Sequence, residues 1–132
     1  MSSKPKTILI VEDEPDTAEM FAEMMRLSGF RVVKVFGGTA AITMLGQERP
    51  DALVLDVMMP DISGLEVLRY IRRDPTLENI PVIVVSAKSL PSDIKYGLDA
   101  GATTYLTKPV SFNDLQNAVE SAVNSAHPPA NP

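Results

Sequence analysis

The stretch Ala52–Val57, ALVLDV, is apolar at every position but one, and the exception, Asp56, comes next to last. A run this short and this continuously apolar reads as a strand buried on both faces, the mark of a parallel sheet covered by helices. Thr7–Val11 (TILIV) and Pro81–Val85 (PVIVV) read the same way. Arg31–Phe36 and Thr103–Leu106 complete a set of β-branched runs, and stretches of helical spacing alternate with them. Ala18, Phe21, Ala22 and Met25 fall on one helical face, as do Ala41, Met44 and Leu45, and then Leu115, Ala118, Val119 and Ala122. Pro15 suits a first helical turn and Gly29 the residue just past a helix end. Thr39 and Ser111 read as N-caps, and Pro50, Pro75 and Pro81 mark breaks before strands. The fourth helical stretch, Pro91 to Ala100, has a thin apolar stripe and contains Gly97. Five strand–helix units with right-handed crossovers imply a single doubly wound α/β domain, (βα)5. That domain is expected over residues 1–125, with AHPPANP at 126–132 as a Pro-rich tail or the start of a linker.

Composition narrows the function. With 132 residues the chain suits one domain large enough for a core of its own. The absence of cysteine excludes disulfides and thiolate metal sites and fits a reducing, cytoplasmic setting. Seventeen acids against twelve bases, a formal charge of −5, argue against a general nucleic-acid or anionic-membrane binder. The apolar runs fall far short of the ~20 residues that span a bilayer. The N-terminal MSSKPKTILIVEDE lacks a small-residue cleavage site and is not read as a signal peptide.

Ligands of such folds bind beyond the carboxyl ends of the strands. There the chain places Glu12, Asp13 and Glu14 after the first run, Asp56 at the end of the third, Ser86 after the fourth, and Thr107, Lys108 and Pro109 after the fifth. Crowded carboxylates repel one another unless a cation is present. Oxygen donors without Cys or His suit a hard ion: Mg²⁺ is the natural choice, and Mn²⁺ also fits. Such a site would draw in a phosphoryl group. Lys108 could bind its oxygens as a point charge, Ser86 could donate one hydrogen bond, and Asp56 could act as a carboxylate nucleophile forming an acyl phosphate. Other groups read more blandly. Met20, Met24 and Met25 read as packing and a solvent edge, Met58 and Met59 as loop-shaping residues. Arg69, Arg72 and Arg73 read as a solvated face, and His127 as inert, so that the phosphoryl donor is another molecule.

The segments ILIVEDEPD, LVLDVMMPDISGLEVL, VIVVSAK and ATTYLTKPV resemble the receiver domain of two-component response regulators, and the resemblance runs over about residues 6 to 125. It implies a five-stranded parallel sheet in the order 2-1-3-4-5 with five helices. It implies that Asp56 is the phosphoacceptor, served by a histidine kinase or histidine phosphotransfer protein. By the same resemblance Asp13, Asp56 and the Met58 backbone carbonyl would ligate Mg²⁺, Glu12 would hold a metal-bound water, and Ser86 and Lys108 would contact the phosphoryl group. Tyr105 matches the family's aromatic switch residue, moving inward as Ser86 engages phosphate, and the Lys108–Pro109 bond would be cis. Phosphorylation would thereby remodel the face around the fourth helix and fifth strand and control a downstream protein or output domain. The chain would be a monomer or a phosphorylation-dependent dimer, without direct contact to nucleic acid or membrane.

Some positions depart from the family. Val110 stands where Phe is frequent, Thr103-Thr104 where a DNA-binding subgroup carries two acids, and Leu115–Asn124 holds no Lys or Arg. A receiver-like interaction module not controlled by phosphate is the alternative reading. A flavodoxin-like cofactor binder is disfavoured because EDEPD after the first strand would repel phosphate. An aspartyl phosphatase is disfavoured because Met58 stands where a second acid is wanted. The domain is thus read as a regulatory phosphoacceptor, not a turnover enzyme, though it would catalyse its own phosphotransfer and autodephosphorylation.

Overall fold

The computed structural model describes residues 4–125; the expectations for 126–132, His127 included, lie outside them. Strands and helices alternate strictly: β1 (Thr7–Val11), α1 (Pro15–Leu27), β2 (Arg31–Val35), α2 (Gly38–Leu45), β3 (Ala52–Asp56), α3 (Gly64–Arg73), β4 (Val82–Ser86), α4 (Pro91–Asp99), β5 (Thr104–Thr107) and α5 (Phe112–Ser125). All strand pairs are parallel and the sheet order is β2-β1-β3-β4-β5. The fold class and the strand order expected from the resemblance are therefore observed.

Alternate residues of each strand feed two cores. Leu9, Val11, Leu53, Leu55, Val82 and Val84 pack with Val67, Leu68 and Ile71 of α3 and Ala41 and Leu45 of α2. Ile8, Ile10, Val54, Ile83 and Val85 pack on the other face with Ala18, Phe21 and Met25 of α1 and Leu115 and Val119 of α5. Because β3 and β4 are buried at every position, their side chains ahead of the terminal Asp56 and Ser86 are apolar on both faces, which is why these runs were so legible.

Strand ends differ by a residue from the sequence reading. β4 starts at Val82, since Pro81 has no N–H for the ladder; its carbonyl still accepts from the Leu53 N–H at 3.0 Å. β5 starts at Thr104, and Phe36, half exposed, lies beyond the end of β2. Gly29 has φ 93°, the left-handed conformation of a residue past a helix end. Ser111 caps α5, its Oγ accepting from the Asp114 N–H at 3.0 Å. Thr39 is not an N-cap. The cap position of α2 is Gly37, and Thr39 lies inside the first turn. Its N–H is bonded by Asp61, from the loop before α3.

The basic face also needs correction. Arg72 is half-buried and bonded to the main chain rather than simply solvated: its Nε donates to the Gly101 carbonyl at 2.9 Å and its Nη1 to the carbonyls of Glu78 and Ile80 at 2.9 and 2.6 Å. The guanidinium fork gathers backbone acceptors from both turns that lead into β4 and β5, with burial alone lowering its pKa. Arg72→Ala should cost about 2–3 kcal/mol, or about 10 °C in Tm, because these carbonyls lose a charged donor. Arg72→Lys should recover less than half, as an ammonium cannot reproduce the fork. Equal melting curves for all three proteins would contradict this.

Candidate functional site

The parallel register brings the carboxyl ends of β1, β3, β4 and β5 to one edge, where Asp56 ends β3, Ser86 ends β4 beside Thr107, and Lys108 follows β5. Glu12 and Asp13 come just after β1. One carboxylate oxygen each from Glu12, Asp13 and Asp56 lies within 4.8 Å of the others. Glu12 and Asp56 are almost wholly buried, at 2 % and 6 % exposure, and Asp13 is half-buried. The Lys108 Nζ donates to Glu12 Oε1 at 2.9 Å and to Asp56 Oδ2 at 3.3 Å. Asp56 Oδ1 accepts from the Met58 N–H at 3.1 Å, and Glu12 Oε2 from the Glu14 N–H at 3.2 Å. Lys108 is held in place by its own N–H, which donates to the Ser86 carbonyl at 2.8 Å, and the Lys108–Pro109 peptide is cis.

Burial pushes the Glu12 carboxyl up. The Lys108 hydrogen bond and the Glu14 N–H oppose that, the Asp56 charge adds to it, and the net direction is upward. For Lys108, burial works against the ammonium, but the bond to Glu12 and the charges of Asp56 and Glu12 together outweigh it and raise its pKa. One ammonium thus faces three carboxylates. The donor set is all oxygen, with no nitrogen or sulfur, so the residues fit a hard divalent cation.

Glu14 does not join the cluster. Its Oε1 accepts from the Thr17 N–H at 2.7 Å and caps α1, just ahead of Pro15. Ser86 is fully buried, and its Oγ accepts from the Lys88 N–H at 3.0 Å. The Tyr105 O–H donates to the Lys88 carbonyl at 2.8 Å. Its ring lies against Gly97 of α4, where any Cβ would come within 2.7 Å. Between the loop after β3 and α4 lies a cavity of about 190 Å³, lined by residues that include Val57, Lys88, Tyr96 and Tyr105. The Met58 side chain is exposed, whereas Met59 packs against the core. Sequence reasoning passed over Lys88, whose backbone links Ser86 to Tyr105, and Asp61. Lys88 acts through its own N–H and carbonyl, and Asp61 through its carboxylate on the N–H groups of α2, and neither arrangement carries a spacing signal.

Comparison with known proteins agrees with this geometry. The family model described as response regulator receiver domain matches residues 8–120. TcrX of Mycobacterium tuberculosis, named as a transcriptional regulatory protein, is 40 % identical over 112 residues, which are 85 % of this chain and 47 % of TcrX. The polar-differentiation response regulator DivK of Brucella anthropi is 30 % identical over 92 % of this chain and 99 % of its own length. The chain therefore spans about half of the first relative and nearly all of the second. Among solved structures, the receiver domain of sensor histidine kinase PA1611 from Pseudomonas aeruginosa is 30 % identical with a TM-score of 0.84, covering 92 % of this chain and 99 % of that one; its structure has a magnesium ion coordinated in the active site cleft. Among the described residues no helix is long and apolar enough to cross a membrane. With the sheet order, the acidic edge and the matched span in agreement, the chain belongs to the response regulator receiver domain family of two-component signalling.

Proposed function

We propose that the chain is a phosphorylation-dependent signalling switch that takes a phosphoryl group on Asp56 from a histidine kinase or histidine phosphotransfer protein. The observation that carries this reading is the Asp56 carboxylate itself, buried among acids yet oriented by the Met58 N–H and the Lys108 ammonium. An Asp56 oxygen would attack phosphorus, forming the acyl phosphate P–O bond as the donor's P–N bond breaks and its electron pair returns to the imidazole nitrogen. No general base is needed, because the nucleophile is already a carboxylate. Catalysis then rests on placement and charge. Lys108 would move from the carboxylates to the phosphoryl oxygens.

Glu12, Asp13, Asp56 and the Met58 carbonyl would hold Mg²⁺, with Mn²⁺ as a substitute. Bound there, the cation neutralises charge on the phosphoryl oxygens. Ser86 would exchange its bond from the Lys88 N–H for one to the phosphoryl group. Because Tyr105 is bonded to the Lys88 carbonyl, moving residues 86–88 would also release Tyr105 and alter the α4/β5 face. That face would control a partner protein or an output domain. The same residues would catalyse autodephosphorylation, slowly, since the Met58 side chain has no group to orient water.

Intact mass after incubation with acetyl phosphate tests the reading. One phosphoryl group should be gained with Mg²⁺ and none with a chelator. No gain in either sample would favour the interaction module that does not respond to phosphate. A second expectation concerns the metal alone. Mg²⁺ at about ten times its Kd should stabilise by about 1.4 kcal/mol and raise Tm by about 5 °C, by relieving carboxylate repulsion. A Tm unmoved by Mg²⁺ would count against the metal site.

A further inference from the structure

The loop between β3 and α3 is closed at its base. The Gly64 N–H and the Ser63 Oγ–H both donate to the Val57 carbonyl, at 2.9 and 3.3 Å. Its outer segment, residues 58–62, carries the Met58 N–H that orients Asp56. Among the described residues, apart from that bond to Asp56, the hydrogen bonds that tie this segment to another element are those of Asp61. Asp61 Oδ1 accepts from the Gly38 N–H at 3.1 Å and Oδ2 from the Thr39 N–H at 2.8 Å. The cap position of α2, Gly37, has no side chain to serve these donors. Contact is close as well: a Cβ on Gly38 would lie 2.3 Å from the Ile62 Cγ1.

We infer that Asp61 is a positioning residue for the phosphoacceptor: capping α2 from the loop after β3, it holds the segment that orients Asp56 and presents the Met58 carbonyl. The inference rests on the proposed role of Asp56. The Thr39 N–H foremost, then those of Ile62 and Gly38, hold the Asp61 carboxyl well below its ordinary range, so the anchor stays ionised through neutral and mildly acidic pH. Losing it removes the hydrogen bonds from residues 58–62 to α2, leaving only the Ile62 contact with Gly38 there, while the base of the loop stays bonded. A displacement of about 1 Å at a reacting group can cost on the order of 10²-fold in rate.

The test compares wild type, Asp61→Ala, Asp61→Asn and Ala40→Gly at a temperature where circular dichroism shows all of them folded. Ala40 is exposed in α2, and its replacement weakens that helix without touching the loop. The readouts are the Mg²⁺ Kd by calorimetry and the rate of phosphoryl uptake from acetyl phosphate by intact mass. Asp61→Ala should lose about fivefold or more in Mg²⁺ affinity and about tenfold or more in rate. Asp61→Asn, which keeps one acceptor oxygen, should lose about threefold in each. Ala40→Gly should lower Tm and change neither. If Asp61→Ala and Asp61→Asn match wild type in both readouts, or Ala40→Gly loses as much as Asp61→Ala, Asp61 serves α2 alone and the inference is overturned. Should Asp61→Ala not fold, Asp61→Asn decides on the same criterion. A wild type that neither binds Mg²⁺ nor takes up phosphate overturns the role of Asp56, and this inference with it.

Discussion

Asp56→Asn is expected to take up no phosphoryl group from acetyl phosphate and Mg²⁺, a loss on the order of 10³-fold or more against wild type. The substitution is nearly isosteric. The remaining amide oxygen can still accept from the Met58 N–H, and Lys108 keeps its bond to Glu12. What disappears is the proposed nucleophile, and with it one of three crowded carboxylates. The variant should therefore fold, and without divalent cation its Tm should equal or exceed that of wild type, because like-charge repulsion falls. Mg²⁺ should stabilise it less than it stabilises wild type. This pairing of lost uptake with unimpaired stability separates chemistry from folding. Residual stoichiometric labelling would place the acceptor on another residue. A large drop in Tm would show that Asp56 is structural.

Gly64→Ala should have the largest effect on stability. A Cβ at this position would sit 2.1 Å from the Asp56 carbonyl oxygen and 2.9 Å from both the Asp56 carbonyl carbon and the Val57 Cα. All three are backbone atoms at the end of a central strand, so no rotamer change makes room. Either α3 shifts away, breaking the Gly64 N–H bond to Val57, or β3 gives. Overpacking of this kind costs about 3 kcal/mol or more, which corresponds to a fall in Tm of about 12 °C. Since the displaced atoms belong to Asp56, phosphoryl uptake should also drop by about 10²-fold in whatever remains folded. Gly46→Ala is the control. Its Cβ would meet nothing closer than the Thr43 carbonyl at 3.4 Å, and the backbone there is right-handed helical. Thermal melts that rank the two variants together would contradict the packing argument.

These two positions also mark what could be read from the sequence. Asp56 stood out because a single acid ends an otherwise apolar strand, and because parallel sheets gather such ends at one edge. Glu12, Asp13, Ser86 and Lys108 were legible for the same reason, lying at or just after the carboxyl ends of β1, β4 and β5. Glu14 was drawn into the same group by proximity alone, whereas a free N-terminus just ahead of Pro15 claimed its carboxylate. Thr39 illustrates the converse. Its type suits a cap, but the first turn of α2 is served from across the fold by Asp61, a pairing between residues twenty-two apart that no local pattern encodes. Arg72 looked solvated in company with Arg69 and Arg73, since its acceptors are main-chain carbonyls of two distant turns. Gly64 was visible as a residue but not as a constraint, because the atoms that crowd it belong to another element.

The most direct test is to locate the phosphoryl group. Borohydride reduces an acyl phosphate to the alcohol, so a phosphorylated aspartate becomes homoserine. After incubation with acetyl phosphate and Mg²⁺, reduction and peptide mapping, homoserine should appear at position 56 and nowhere else. Homoserine at position 13, or a phosphorylated protein that yields none, would contradict the assignment of Asp56 as the acceptor.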